Sequence, residues 1–193
     1  MRDVFLRIHR YVALTLALFL VVIGLTGSII VFFLELDRWL NPDLLVVAPQ
    51  GDSLNVLALR EKLAAEDPDA HVYYVHFLKN PDESFYAYAE GAIDPATDEE
   101  KVITYDEVFS DPYTGERLGE RHWGDISLER KDLMTFLYFL HYSLVLPEAL
   151  GESFMGIVAF VFAIDCLVGF YLGCPGCAGP ASANYRRVFC RKF

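Results

Sequence analysis

Between Tyr11 and Leu34 the chain reads YVALTLALFLVVIGLTGSIIVFFL, an apolar run without one charged side chain. At about 1.5 Å per helical residue this run can cross a hydrocarbon layer ~30 Å thick, which predicts a transmembrane helix over residues 11–36. A second run, FMGIVAFVFAIDCLVGFYLGC from Phe154 to Cys174, is uncharged except for Asp165 and predicts a second transmembrane helix over 153–174. Between them the pattern changes. Ser53 stands as a helix cap, and Leu54, Leu57, Ala58 and Leu63 recur at helical spacing up to Glu66. Ala70 to Leu78 is rich in β-branched and aromatic residues, Asn80-Pro81-Asp82 makes a turn, and Ser84 to Ala89 puts Phe85, Ala87 and Ala89 on one side, a hairpin pattern. Val102 to Phe109 reads as a third strand, closed by the turn residues Asp111-Pro112-Tyr113-Thr114-Gly115. Leu133 to Leu146 covers only about 21 Å as a helix, too short to cross, so an interfacial or re-entrant helix is expected over 133–147. The expected fold class is therefore membrane α-helical, two transmembrane helices plus an interfacial helix, with a small α+β module over 37–132: one helix on a three-stranded antiparallel sheet.

Charge gives this arrangement a direction. Arg2, Arg7 and Arg10 precede the first span, and Arg186, Arg187, Arg191 and Lys192 follow the second, so the basic flank 1–10 and the basic tail 175–193 are both expected on the cytoplasmic side. The stretch Glu35 to Asp132 carries 9 of the 16 Lys and Arg but 23 of the 27 Asp and Glu, a balance of 9 − 23 = −14, and is the expected exported part. The first run lacks an A-x-A cleavage pattern and reads as an uncleaved anchor. An overall charge of −11 without a basic patch beyond the two short flanks excludes nucleic acid as a partner and leaves membrane lipid as the expected one. All four cysteines, Cys166, Cys174, Cys177 and Cys190, fall in or after the second span, so no disulfide supports the exported module. Cys174-Pro-Gly-Cys177 lacks the following His of a c-type haem attachment and a second ligand pair for zinc.

Three blocks in order carry a family pattern: IHRYVALTLALFLVVIGLTGSIIVFFLELDRWLNP, VFSDPYTGERLG and FLYFLHYSLVLPEALGESFMGIVAFVFAIDCLVGFYL. Together they resemble the PepSY-associated transmembrane family of bacterial inner-membrane proteins, which includes iron-regulated proteins and siderophore-iron reductases. The resemblance implies that the module over 37–132 is PepSY-like and lies on the periplasmic face of the inner membrane, with about residues 37–150 periplasmic. In the reductase branch it implies haem b held by helix histidines, with electrons crossing the membrane to reduce a ferric siderophore. His9 and His141 match the family's histidines and are the candidate cofactor-binding residues, as axial ligands of haem iron. The chain departs from the reductases in having two spans rather than four, and after Phe170-Tyr171-Leu172 the tail departs as well. Alternatives are a non-catalytic membrane-anchored binding or regulatory module, and a truncated piece of a four-span reductase.

His9 at the inner end of one span and His141 near the outer interface are too far apart to be two ligands of one iron. Each would need a partner from a second copy of the chain or a separate two-span subunit. Asp165 within the second span is costly unless protonated or hydrogen-bonded, and Thr26 and Ser28 of the first span are the expected donors at comparable depth. Asp165 reads either as a proton or haem-propionate partner or as a polar lock between helices. Gly24, Gly27 and Ser28 form a small-residue patch that permits close helix approach, as does Gly169. His71 and His76, five residues apart on an expected strand, point to opposite faces and cannot share a metal. His122-Trp123 reads as an interfacial anchor, and no catalytic nucleophile arrangement, phosphate loop or dinucleotide fingerprint is present.

Overall fold

In a computed structural model, residues 2–173 are described, in two compact units, residues 2–25 with 142–173 and residues 26–141. The Cys174 to Cys177 motif and the expected basic tail lie outside the described residues.

The first unit is the helix pair. Helix α1 (Arg2–Ile30) is 29 residues and about 43 Å long, and a C-terminal helix of 26 residues, Glu148–Gly173, is about 39 Å, so both are long and apolar enough to cross a membrane. Leu14, Leu18, Phe160 and Leu167 are all exposed, as side chains facing lipid are. The pair runs antiparallel, with His9 opposite Gly169 and Phe19 tilted against Phe154 at 5.8 Å between ring centroids.

The second unit holds the acidic lobe. A turn at Val31 and Phe32 ends α1 and leads into α2 (Phe33–Leu40). Pro42 then opens α3 (Pro42–Leu45), where a missing N–H costs nothing. Asn55, not Ser53, caps α4 (Val56–Glu66): its side chain accepts from the Leu57 N–H at 2.8 Å. The sheet has four strands rather than the expected three, in the order β1 (Ala70–Val75), β2 (Phe85–Gly91), β3 (Glu107–Ser110) and β4 (Arg117–Arg121), each antiparallel to the one before. The sequence RLGER of β4 has one large apolar residue, so no hydrophobic alternation announced it. The third strand is also shorter than expected, since Val102 is almost fully exposed and the chain joins the ladder only at Glu107.

Both faces of the sheet are covered. On one face Ala70, Val72, Ala87, Ala89 and Val108 pack with Leu59 and Leu63 of α4. On the other lie Tyr86, Tyr88, Glu107 and Phe109, with Leu44 of α3 pressed so closely on Gly119 that a Cβ there would sit 2.5 Å from its Cδ2. A bulge between Val72 and Tyr74 overturns the expected geometry of the two strand histidines. Val72 pairs with Ala89 and Val75 with Ala87, both on the core face, so His71 opposite Glu90 and His76 on Tyr86 share the outer face. Four residues of β2 separate those positions, about 13 Å, and a shared metal is still out of reach.

Helix α5 (Leu133–Ser143) is shorter than the expected 133–147 and turns into α6 (Glu148–Gly173) through Leu144 and Val145. Both have left-handed backbones, φ 54° and 63°, which is strained for a β-branched valine.

Candidate functional site

Each candidate histidine is built into a small pairing of the same design. His9 projects from α1 toward α6, where its Nδ1 lies 2.8 Å from Oδ1 of Asp165. The contact sets the ring's orientation, and an ionised Asp165 accepts there from Nδ1–H. One helical turn beyond Asp165, Gly169 gives the ring its space: a Cβ there would be 3.0 Å from the imidazole Cε1. The Asp165 side chain is 11% exposed, so its carboxyl faces a hydrogen-bonding partner rather than lipid.

His141 of α5 repeats the pattern within the second unit. Its Nδ1 is 3.1 Å from Oγ1 of buried Thr26, and a Cβ on Gly27 would lie 2.8 Å from its Cε1. The sequence reading of Thr26 and Ser28 as the donors to Asp165 is thus corrected. Antiparallel packing carries Asp165 to the first turns of α1, where it meets His9, while Thr26 serves His141. Of the expected small-residue patch, Gly27 and Gly169 each receive a histidine ring, whereas Gly24 has nothing within 4 Å of a Cβ. Among the described residues no three His, Cys, Asp or Glu side chains converge as a metal site, so each pairing offers a metal one histidine.

The lobe contains a charged cluster that sequence reasoning missed. Arg121, 2% exposed in its side chain, reaches Glu107 through Nε at 2.5 Å and Asp37 of α2 through Nη2 at 2.9 Å. Its Nη1 also donates to the Lys131 carbonyl at 3.1 Å. The indole N–H of Trp123 donates to the same Glu107 carboxylate at 3.0 Å, so Trp123 serves the lobe's own packing. Burial pushes the Glu107 carboxyl up despite the opposing pull of Arg121. Burial acts downward on Arg121, but Glu107 and Asp37 outweigh it and hold the guanidinium above its ordinary value.

Two recesses open on the outer side of the sheet. One, about 320 Å³, is lined by Arg38, Tyr74, His76, Lys79, Glu83 and Tyr86 among others. Burial draws His76 down, and burial drives the Tyr86 phenol up to about 12. Burial also works against the Glu83 carboxylate, but hydrogen bonds from Lys79 and Asn80 prevail and keep it below its usual value. The other recess, about 290 Å³, is lined by Tyr73, Tyr88, Asp106 and Trp123.

Two helices long and apolar enough to span a membrane, an acidic α+β lobe that lies between them in the sequence, and a histidine held at a helix contact in each unit define a membrane protein. The model of the PepSY-associated TM region matches residues 6–189, nearly the whole chain. The chain belongs to that family. No curated protein matches it.

Proposed function

We propose that this PepSY-associated protein is a haem-linked electron carrier of the bacterial inner membrane that serves iron uptake, with a ferric siderophore as the electron acceptor. The observation that supports it is the His9–Asp165 pair at 2.8 Å, in which a carboxylate on Nδ1 orients the ring for ligation through Nε2. In this reading His9 and His141 would each hold a haem b by its iron, with a further ligand from a second copy of the chain or a separate two-span subunit. Haem b, when bound, supplies a one-electron couple. The chain's own residues do the rest: Asp165 holds the Nδ1 proton of His9, Thr26 orients His141, and Gly169 and Gly27 leave room for the rings. The basic flanks support cytoplasmic termini, with residues of about 37–150 in the periplasm.

Protein purified from haem-supplied cells is expected to show a Soret band, with His9→Ala and His141→Ala each removing part of it. Absence of the band, or its full retention in both variants, rejects the proposal. Protease added outside spheroplasts is expected to cut between Ser53 and Arg130; protection of that segment would refute the orientation. The alternative is a non-catalytic, membrane-anchored binding module, favoured by the recesses on the outer side of the sheet, which are lined by none of the residues assigned to haem.

A further inference from the structure

We propose that the recess between Tyr73, Tyr88, Trp123 and Asp106 binds a small, free organic ammonium ion. Three aromatic rings and one carboxylate make up its lining. Tyr73 and Tyr88 stack at 6.4 Å and 24°, and Trp123 stands at 62° to Tyr88 with centroids 6.1 Å apart, so the rings form an angled aromatic wall. Ring faces carry negative charge density that attracts a weakly hydrated cation. A carboxylate beside such a wall adds the counter-charge.

The rings are set in place by the fold. The β1 bulge holds Tyr73 and its neighbour Tyr74 both on the exposed side, and Tyr73 is 57% exposed at the rim. Trp123 is stacked on Phe33 at 6.0 Å and met edge-on by Tyr138 at 5.5 Å, which fixes its plane. Its backbone N–H donates to both oxygens of Asp106, at 2.9 and 3.1 Å, and His122 Nδ1 lies 3.0 Å from Oδ2, so the carboxylate is aimed as well.

The electrostatics point the same way. Burial first, and then the charges of Asp106, Glu90 and Glu107, push the Tyr73 phenol up, while no lysine or arginine lines the recess. The nearby Arg121 is engaged by Asp37 and Glu107. A metal ion would find one carboxylate and three rings, a poor oxygen shell. An organic ammonium finds ring faces for its alkyl groups and Asp106 for its charge.

The test uses the full chain in detergent with Trp39→Phe, which leaves Trp123 as the only tryptophan; Trp39 is 77% exposed and dispensable to packing. Choline is titrated against Trp123 emission, with 3,3-dimethyl-1-butanol as its uncharged isostere and sodium chloride as the ionic-strength control. Choline is expected to give a saturable change that the alcohol and the salt do not. Asp106→Asn keeps an oxygen for the Trp123 N–H, and it should weaken choline by about 10-fold, with Tyr73→Ala weakening it about 5-fold. A cooperative urea transition in each variant, with the parent's slope, shows that both fold. Phosphocholine is expected to bind more weakly than choline, because its phosphate meets the surrounding carboxylates. No saturable response to choline, an equal response to the alcohol, or unchanged affinity in Asp106→Asn overturns the proposal. Tighter binding of phosphocholine also overturns it, assigning the recess to lipid headgroups instead.

Discussion

Arg121→Met would test whether the buried charge cluster holds the lobe together. Arg121 and its partners Asp37 and Glu107 are each 2–3% exposed in their side chains, and the guanidinium contacts both carboxylates through separate nitrogens. Methionine fills much of the volume but leaves two buried acids without a cation. Removing one member of a buried ion cluster costs roughly 3–5 kcal/mol, because the remaining charges lose their partner and stay dehydrated. With a urea slope of about 2 kcal/mol per molar for a domain of this size, the midpoint should fall by about 2 M. The assay is urea unfolding in detergent followed by Trp123 emission, since its indole donates to Glu107 and reports the cluster directly. Adding Asp37→Asn and Glu107→Gln removes the stranded charges, and the triple variant should recover at least half the loss. The reasoning is refuted if Arg121→Met unfolds within about 0.5 M of the parent, or if the triple variant is no more stable than Arg121→Met.

Other outcomes follow from single contacts. Gly91→Ala should destabilise the lobe by about 2 kcal/mol in the same assay, because the added Cβ would run into the Lys101 backbone carbonyl, which cannot swing aside. Leu59→Ala, at the centre of the core and 1% exposed, should cost about 2–5 kcal/mol. Burial raises the Asp106 carboxyl above its ordinary 3.8, so the native state binds the proton more tightly than the unfolded chain. That contribution is full below 3.8 and lost as pH rises through the native value. The parent should therefore lose stability relative to Asp106→Asn with rising pH across that window, measured as the difference in urea midpoints; a pH-independent difference would contradict this.

The parts of the fold that were legible in the sequence are those where hydrophobicity is periodic or continuous. Two unbroken apolar runs marked the spanning helices, and the alternation of Phe85, Ala87 and Ala89 marked β2 and its core face. Strand β4 escaped because its inward side chain, Arg121, is charged, and its burial depends on acids 14 and 84 residues away. The bulge escaped because Tyr73 and Tyr74 read equally well on either face. His9, His141, Asp165 and Thr26 were all singled out in advance, but their pairing was not. Depth judged from position within each run matched Asp165 with Thr26, whereas the antiparallel helix contact decides the actual partner.

The strand order has a consequence for how the protein is made. Each strand pairs with its immediate predecessor, so the sheet can assemble at the pace at which the chain is delivered, with little loop-closure cost. Clasps between distant segments, such as Asp37 with Arg121 across 84 residues and Thr26 with His141 across 115, must wait for the later parts of the lobe to emerge. A pause in synthesis before residue 121 would leave a nascent three-stranded sheet whose far edge is still open to a neighbouring chain.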